Sequence, residues 1–242
     1  MVAVHWFDEL DSTTRVAHDD NFRHGDVVAT TNQTAGRGRQ ERTWSMAAGQ
    51  GLAVTLVVSR GEMGSPRHVT RLPLLVAMEL RRLIESLSTA GTHPTVKWPN
   101  DVHIQGRKVA GILVEALDDD RLGIGIGINL TGIPPGIPAD SATFLAQHDI
   151  AISPPELVEA LTAAIVRRTL ALDSDELLGD LALTIDTIGR EVRLELPDGR
   201  IVTGRATGIG ASGSLCVDVA GIVDEFFAAD VTHLRLGGDE PR

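Results

Sequence analysis

The spacing of apolar residues changes along the chain, and each change marks a predicted strand or helix. Short β-branched runs predict strands at "VAVHWF", which a polar turn follows, at "GDVVATTNQ" and at "GQGLAVTLVVS". From Val69 to Leu87 the apolar residues keep helical spacing instead. This segment is predicted to be a helix with Pro73 in its first turn and the glycine of "TAGTHP" at its end.

The middle of the chain predicts a group of strands and then a second long helix. "TVKW", "DVHIQGRKVAGILVEAL" and "RLGIGIGINL" have strand character; "PND" separates the first two, and the second contains a tight turn at Gln105-Gly106. "GIPPGIPADSATF" predicts a loop. At Ser153 the capping box "SPPE" places Pro154 at the first position of a helix.

The pattern changes again after about residue 186. Short alternating strands follow one another, with turns at Asp198-Gly199 and Ser212-Gly213 and no helical stretch. We therefore predict two domains, the first over residues 1–186 and a small all-β barrel over residues 187–242.

The charge balance limits the partners of the chain. It has 33 acidic and 22 basic residues, a net charge of −11 and a pI near 5.1, which disfavours nucleic acid and anionic membranes as partners. No apolar run approaches the roughly 18 residues of a membrane span, and "MVAVHWFDELD" does not resemble a signal peptide, so we expect a cytoplasmic protein. The single Cys216 excludes an internal disulfide and is expected to be buried.

The segment "TAGRGRQERTW", residues 34–44, gathers basic residues in this acidic chain. One interpretation is a solvated basic turn, and a second is an arm that enters the DNA minor groove, which the net negative charge disfavours. A third is an anion-binding loop, because glycines allow close backbone approach and guanidinium groups grip phosphate in a bidentate way. The segment alone leaves these alternatives open.

A second segment, "KWPNDVHIQGRKVAGI" at residues 97–112, holds both lysines of the chain, Lys97 and Lys108. The predicted strands would bring the amide of Asn100, the carboxylate of Asp101 and the ammonium of Lys108 to one end of a hairpin. Asn and Asp are also common in structural turns, and the tryptophan of this segment is expected in the core. Gly111 would allow close approach of a ligand or a neighbouring strand.

Three motifs in this order, "GRGRQERTW" at 36–44, "KWPNDVHIQGRKVAGI" at 97–112 and "GIGIN" at 125–129, resemble those of the biotin protein ligases. "DSTT" at 11–14 and the β-rich tail extend the resemblance over nearly the whole chain. It implies an α+β fold: a class II synthetase-like biotin/lipoate ligase catalytic domain, with a mixed β-sheet flanked by helices, and a C-terminal SH3-like β-barrel. The implied reaction joins biotin to AMP from ATP, with Mg²⁺, and passes biotin to a lysine of a biotin carboxyl carrier domain of an acyl-CoA or pyruvate carboxylase.

The same resemblance implies roles for individual residues. Catalysis is assigned to Lys108, Arg39 and Asp101, and Asp101 is the candidate Mg²⁺ ligand. Biotin binding is assigned to Ser12, Thr13, Thr14, Gln33, Gly36, Arg37, Gly38, Arg39, Lys108 and Gly111. Nucleotide binding is assigned to Arg39, Arg42, Trp44, Asn100 and Asn129. Thr14 departs from the asparagine that is frequent in the family, and the basic loop is expected to be disordered without ligand.

Other functions stay open at this point. A lipoate or octanoate ligase shares the general fold, and a biotin-sensing or nucleic-acid-binding module would use the basic loop without catalysis. Because the motifs begin at residue 11, we expect a ligase without the family's N-terminal DNA-binding domain, and a monomer or weak homodimer. The histidines lack ligand spacing and are interpreted as surface or core residues: His5, His18, His24, His68, His93, His103, His148 and His233.

Overall fold

The structure is a computed structural model that describes residues 3–39, 42–63, 66–89, 91–169 and 175–234. Its first strands are β1 (Val4–Phe7), β2 (Val27–Thr30), β3 (Gly36–Arg37), β4 (Thr43–Trp44), β5 (Gly51–Ser59), β6 (Thr95–Lys97), β7 (Asp101–Ile104), β8 (Arg107–Ala116) and β9 (Arg121–Asn129). One sheet has the order β1-β2-β5-β9-β8-β7-β6, and β3 and β4 form a separate short hairpin. β1 and β2 are parallel whereas the other pairs are antiparallel, so the sheet is mixed as expected.

The described helices cover both faces of this sheet. They are α1 (Thr13–Ala17), α2 (Leu72–Leu87), α3 (Pro154–Thr169) and α4 (Asp175–Thr184). α2 packs on β6, β7 and β8, while α3 and α4 pack on α2. α1 packs on β2, β5 and β9 and encloses a smaller apolar cluster with Val28 and Val57. The predicted arrangement of a sheet flanked by helices is confirmed.

Two of these helices were not predicted. At "DSTT" we expected a polar turn, but Ser12 caps α1, with its Oγ accepting the backbone N–H of Arg15 at 3.4 Å. α1 has only five residues, too few for helical spacing to be visible. α4 buries Leu177 and Leu181, four residues apart, which is a weak signal in a short segment that also contains Gly179.

The ends of the long helices follow local chemistry. A 3₁₀ segment covers Pro66–Arg71, so α2 begins three residues later than predicted, with Pro73 in the first turn as expected. α2 ends at Ser88, whose N–H donates to the Glu85 carbonyl, and not at the glycine that we predicted. The capping box of α3 is confirmed, because the Glu156 N–H donates to Ser153 Oγ at 3.4 Å and the Ser153 N–H donates to Glu156 Oε2 at 3.2 Å.

Strand β9 shows how the sequence shapes the centre of the sheet. In "RLGIGIGIN" the large apolar residues alternate with glycines, so one face carries leucine and isoleucine side chains and the other is almost bare. Leu122, Ile124, Ile126 and Ile128 belong to the main core. The opposite, glycine face leaves room for a cavity above the sheet.

The C-terminal region forms a second sheet, as the change in pattern predicts. Its strands are β10 (Glu191–Glu195), β11 (Ile201–Ile209), β12 (Leu215–Val219), β13 (Ile222–Phe226) and β14 (Asp230–His233). They pair antiparallel in the order β13-β12-β11-β10-β14. Pairing of β13 with β14 is not observed in the described residues, so the sheet is confirmed but not its closure into a barrel.

Details of this sheet also test the sequence analysis. Gly199 and Gly213 both have a φ of +82°, which is the left-handed conformation that the predicted turns require. Cys216 is half-buried rather than buried, because it alternates with the buried Leu215 and Val217 and so lies on the opposite face of β12. Desolvation and the neighbouring Glu225 charge raise the pKa of its thiol.

The two sheets meet around Trp98, whose side chain is 2% exposed, so the prediction of a core residue is confirmed. Trp98 Nε1 donates to the Gly213 carbonyl at 3.0 Å, and its backbone N–H donates to Thr187 Oγ1 at 3.2 Å. At the N-terminus of α2, Arg71 Nε donates to the Ala211 carbonyl at 2.6 Å.

The division into domains at residue 186 stays a prediction. Of the helices described, none has both the length and the apolar character of a membrane span.

Candidate active site

A cavity of about 490 Å³ lies above the glycine face of β9, between the β3–β4 segment and the start of β14. Its floor is a row of paired residues that runs across five strands, and we call it the floor row: Ala53, Gly127, Gly111, Asp101 and Lys97. Directly paired residues of antiparallel strands share a face of the sheet. The floor therefore changes from three small residues at β5, β9 and β8 to two charged residues at β7 and β6.

The small residues of the floor row allow other side chains to lie above them. A Cβ built on Gly127 would lie 2.7 Å from Trp44 Cε2, so the indole ring lies directly on the strand. A Cβ on Gly111 would lie 2.9 Å from Lys108 Nζ. We predicted that a ligand or a neighbouring strand would approach Gly111, and the structure shows that the Lys108 side chain of the same strand lies there.

The uncharged end of the cavity contains a buried hydroxyl and amide network. Thr55 Oγ1 donates to Thr13 Oγ1 at 2.9 Å, and the backbone N–H of Thr13 donates to Gln33 Oε1 at 2.8 Å. Thr14 Oγ1 lies 3.2 Å from Thr55 Oγ1. These groups hold one another in place next to apolar walls, an arrangement that suits a ligand with a few fixed donors and acceptors.

Two residues of this end differ from their expected roles. Thr55 was not predicted, although it is the one polar residue inside the apolar run "GLAVTLVVS". Gly36 does not line the cavity; a Cβ there would overlap the Gln33 amide, so Gly36 makes room for Gln33. The other residues assigned to biotin do line the cavity: Ser12, Thr13, Thr14, Gln33, Arg37, Gly38, Arg39, Lys108 and Gly111.

An ion pair occupies the middle of the cavity. Lys108 Nζ donates to Asp101 Oδ1 at 2.6 Å, and both side chains remain partly exposed. The backbone register fixes this pair, because Asp101 lies opposite Gly111 and the β7–β8 ladder shifts register between Val102 and His103. The sequence analysis placed the carboxylate and the ammonium at one end of a hairpin, and the structure brings them together there.

A pair of arginines forms the opposite wall. Arg39 Nη2 donates to the Ala229 carbonyl at 3.2 Å and its Nη1 lies 3.9 Å from Asp230 Oδ1, while Arg42 also pairs with Asp230. Burial lowers the pKa of the Arg39 guanidinium below its usual value, an effect that the charges of Asp230 and Asp101 oppose and that of Arg42 reinforces. Sequence reasoning missed Asp230, since nothing local relates it to a loop about 190 residues earlier.

The segment that carries these arginines is β3, β4 and the turn between them, and we call it the arginine hairpin. Gly38 N–H donates to the Arg42 carbonyl at 2.6 Å, which closes the turn, and residues 40 and 41 lie outside the described residues. Arg37 is exposed and lies 3.8 Å from Glu115. Three arginines are thus presented at the cavity mouth by a very short hairpin.

The two asparagines assigned to the nucleotide line the cavity but use their amides structurally. Asn100 Nδ2 donates to the Ile112 carbonyl at 2.5 Å. Asn129 Nδ2 donates to the Thr143 carbonyl at 2.8 Å. These bonds fix the orientation of each side chain and leave its Oδ1 as an acceptor for a ligand.

Two further cavity residues had no assigned role. Lys97 is the last residue of the floor row. The sequence feature that could have identified it is that the chain has only two lysines. His103, which we interpreted as surface or core, is 7% exposed and lines the cavity. Burial first, and the charges of Lys97 and Lys108 second, lower the pKa of its imidazole to about 4 against the opposing effect of Asp101.

A divalent cation would have few protein ligands in this cavity. No group of three His, Cys, Asp or Glu side chains that could hold a metal occurs among the described residues. Mg²⁺ in nucleotide sites is commonly held by one or two carboxylates together with phosphates and water. Asp101 fits that arrangement, since it is partly exposed to the cavity and is the carboxylate of the floor row.

Comparison with known proteins agrees with this geometry. The model of the Biotin/lipoate A/B protein ligase family matches residues 6–130, and that of the biotin protein ligase C terminal domain matches residues 187–225. The biotin–[acetyl-CoA-carboxylase] ligase of Mycobacterium tuberculosis is 32% identical over 222 residues, which are 87% of this chain and 80% of that protein. The bifunctional ligase/repressor of Bacillus subtilis is 39% identical over 59% of this chain and 46% of its own length.

A solved structure adds a test of the fold. The biotin protein ligase from Aquifex aeolicus in complex with biotin and ATP matches with a TM-score of 0.82 at 24% identity, over 98% of this chain and 100% of that chain. At this identity the match shows the fold. The family model covers more than half of the chain, and both sheets find counterparts. The chain therefore belongs to the biotin/lipoate A/B protein ligase family and carries the biotin protein ligase C-terminal domain.

Proposed function

We propose that this protein is an ATP-dependent biotin protein ligase. It joins the carboxylate of biotin to the α-phosphate of ATP, releases pyrophosphate, and passes the biotinyl group from AMP to a lysine of a biotin carboxyl carrier domain. The observation that carries the proposal is Lys108, whose ammonium pairs with Asp101 in the cavity that the Thr13–Gln33 network and the arginine hairpin also line. The kinship with the ligase of Mycobacterium tuberculosis supports it.

The first step brings together two groups that repel each other. A biotin carboxylate oxygen attacks the α-phosphorus, the acyl–phosphate bond forms, and the bond to the β-phosphate oxygen breaks with its electron pair leaving on pyrophosphate. Lys108 reduces the repulsion because its ammonium can contact both anions and stabilise the charge that develops in the transition state. The pair with Asp101 holds Lys108 in this place before the substrates arrive.

The uncharged end of the cavity receives the ureido ring of biotin. This ring has a carbonyl acceptor and two N–H donors, each of which needs a partner when it is buried. Ser12, Thr13 and Gln33 provide the complementary groups at that end, and the missing asparagine at Thr14 is replaced by a hydroxyl fixed against Thr55. A lipoate or octanoate tail lacks these polar groups and would leave the network unsatisfied.

The arginine hairpin retains the activated intermediate. Arg39 and Arg42 bind the phosphates of ATP and then the phosphate of biotinyl-5′-AMP, which removes them from Asp230. Acyl adenylates hydrolyse in water, so a segment that folds over the site protects them. The expected disorder of this segment without ligand stays a prediction, and residues 40 and 41 lie outside the described part of the chain.

Mg²⁺ accompanies the nucleotide in this proposal. Asp101 would hold the ion together with phosphate oxygens, and the ion would supply further charge neutralisation in the first step. Trp44 packs beside the adenine, and the oxygens of Asn100 and Asn129 accept hydrogen bonds from the nucleotide.

The second step needs no residue that becomes covalently modified. The neutral amine of the carrier lysine attacks the acyl carbon of biotinyl-5′-AMP, the amide bond forms, AMP leaves with the electron pair of the broken anhydride bond, and the amine releases one proton to water. We propose that residues 1–186 form the catalytic domain and that residues 187–242 help to seat the carrier domain of an acyl-CoA or pyruvate carboxylase.

The cellular setting follows from the charge and the composition. The net charge of −11 disfavours binding to nucleic acid, and we propose a cytoplasmic ligase without repressor activity. A monomer or weak homodimer is expected. Both statements are tested by DNA binding at physiological salt and by sedimentation of the purified protein.

A biotin-dependent ATP–pyrophosphate exchange assay tests the function directly. We expect exchange with biotin but not with lipoate or octanoate, and transfer of labelled biotin to a carrier domain. Exchange with lipoate or octanoate alone would establish the sister activity instead. Tight biotin binding without exchange or transfer would identify a sensor and overturn the proposal.

A further inference from the structure

Lys97 differs from the other cations of the cavity because its side chain forms no hydrogen bond or ion pair within the described residues. Within the described residues Lys108 pairs with Asp101, Arg39 and Arg42 pair with Asp230, and Arg37 pairs with Glu115. Lys97 lines the same cavity and is half-buried, yet no hydrogen bond or ion pair joins its ammonium to another described side chain. Asp101 and Asp186 are nearby carboxylates, but neither forms an ion pair with Lys97, so its N–H groups remain available to an anionic ligand.

A neighbouring atom is also unsatisfied. His103 Nδ1 lies 3.1 Å from the Gly106 carbonyl, which can only accept, so this nitrogen carries the hydrogen. The other nitrogen, Nε2, then presents a lone pair, and it is buried without a partner among the described residues. Lys97 and His103 lie on the same face of adjacent strands, as Lys97 pairs with Asp101 and His103 is two residues further along β7.

The position of Lys97 along the floor row indicates which anion it receives. In an in-line displacement the attacking oxygen, the phosphorus and the leaving oxygen lie in that order. The sheet places the Thr55 network on β5, Lys108 on β8 and Lys97 on β6. Adjacent strands are ~4.8 Å apart, so Lys97 lies about two strand spacings beyond Lys108, on the side away from the biotin end.

We propose that Lys97 forms a pyrophosphate subsite, which binds the β- and γ-phosphates of ATP and stabilises the pyrophosphate as the bond to the α-phosphate breaks. This inference rests on the proposed adenylation reaction and adds a residue and a role to it. His103 is a positioning residue: with phosphate bound, its Nε2 accepts one of the three ammonium hydrogens of Lys97, and the other two remain for phosphate oxygens. The electron pair of the breaking bond stays on the pyrophosphate oxygen that Lys97 contacts.

The test separates the step that involves pyrophosphate from the step that does not. Lys97→Gln removes the charge at similar length and is compared with Arg167→Gln, which removes one charge on an exposed part of α3. We expect Lys97→Gln to raise the KM for pyrophosphate in the exchange reaction and its Kd by calorimetry about 10- to 100-fold, the range for a lost charged hydrogen bond. Biotin transfer from supplied biotinyl-5′-AMP to the carrier should change less than about twofold, and Arg167→Gln should change neither quantity.

The contribution of His103 is tested by a pair of variants. His103→Leu should raise the KM for pyrophosphate with little change in the KM for biotin, and His103→Gln, whose oxygen can replace Nε2 as acceptor, should restore most of the loss. Unchanged pyrophosphate binding in Lys97→Gln, or an equal loss in transfer from supplied adenylate, overturns the inference. A wild-type protein that binds pyrophosphate through Lys97 but shows no biotin-dependent exchange would overturn the proposed function alone.

Discussion

The floor row and the arginine hairpin present cations to one cavity in two different ways. Lys97 and Lys108 stand on strands whose positions are fixed by hydrogen bonds to neighbours on the sheet. Arg39 and Arg42 stand on a hairpin of two-residue strands that leans on Asp230 of the second sheet. The difference indicates a division of work, because a transition state needs charges at fixed places whereas substrate entry needs a wall that can open.

The two arginines of the hairpin differ in how firmly Asp230 holds them. The Arg42 side chain is 65% exposed, and an exposed ion pair contributes about 0–1 kcal/mol, so Asp230 holds that part of the hairpin weakly. The Arg39 side chain is 24% exposed and also bonds to a carbonyl, which makes it the firmer of the two contacts. Phosphates, which bind guanidinium groups in a bidentate way, can therefore displace Asp230.

The largest effect on catalysis is expected when Lys108, a cation on a strand of the main sheet, is replaced. Lys108→Ala should slow biotinyl-5′-AMP formation by about 10³-fold or more, because it removes a charge that acts at the transition state and leaves Asp101 unpaired beside the phosphates. Single-turnover formation of the adenylate measures the effect. Arg107→Ala removes a cation from the adjacent position of β8 that does not line the cavity, and should keep nearly full activity. Equal losses in the two variants would contradict a specific role for Lys108.

The second-largest effect is expected when an arginine of the arginine hairpin is replaced, and it concerns the release of the adenylate. Arg39→Ala should speed the release of biotinyl-5′-AMP about 10- to 100-fold, since a partly buried guanidinium on a phosphate is lost. Arg42→Ala should have a smaller effect, because its side chain is more exposed. The dissociation rate of labelled adenylate after dilution measures both. A larger effect in Arg42→Ala would reverse our ranking of the two contacts.

A smaller effect, of opposite sign, is expected for the carboxylate that holds the hairpin. Asp230→Asn removes the negative charge that competes with phosphate for Arg39 and Arg42 without changing the side-chain shape, so the affinity for ATP should rise about 2- to 5-fold. Protease cleavage within residues 36–44 should also become faster without nucleotide. Weaker ATP binding in this variant would mean that Asp230 positions the arginines for the nucleotide rather than competing with it.

The smallest effect concerns stability rather than catalysis. Burial first, then the charges of Lys97, Arg190 and His103, lower the pKa of His233 to about 4, and its Nε2 lies 3.2 Å from Thr187 Oγ1. The unfolded chain takes up this proton near pH 6.5, so the free energy of unfolding falls as the pH drops from 6.5 towards 4.

His233→Gln removes this proton uptake and should reduce the pH slope of the unfolding free energy by up to about one proton over that window. Urea unfolding between pH 4 and pH 7.5 measures the slope. Because His233 is only half-buried, the stability at pH 7.5 should change little. An unchanged slope would show that His233 is already accessible to protons in the folded protein.

The part of the floor row that holds Asp101 and Gly111 was predictable from the sequence because its information is local. The Gln105-Gly106 turn, with φ values of +52° and +74°, sets the register that brings Lys108 to Asp101. The glycine alternation of "GIGIN" sets the bare face in the same way. When residues of a motif lie on adjacent strands joined by a short turn, their spacing in the sequence is enough to predict that they come together.

The remaining parts of the site depend on contacts between distant segments. Asp230 reaches the arginine hairpin only because Trp98 and Arg71 dock the second sheet on the first, and no periodicity records that contact. Thr55 reaches Thr13 because α1 packs on β5, and α1 itself is too short to be seen in the pattern. The sequence could suggest which residues bind anions, but it could not show which protein groups hold those residues in place when no ligand is bound.

The bare strand under the indole ring has a consequence for selectivity. β9 is bonded along both edges, to β5 and to β8, so it cannot retreat to admit a thicker molecule. The space above β9 therefore limits how thick a flat ligand can be. A single methyl group added at Gly127 would push the Trp44 indole away from the strand and reduce that space. An inhibitor of this protein would gain its selectivity by being thin where it crosses that strand.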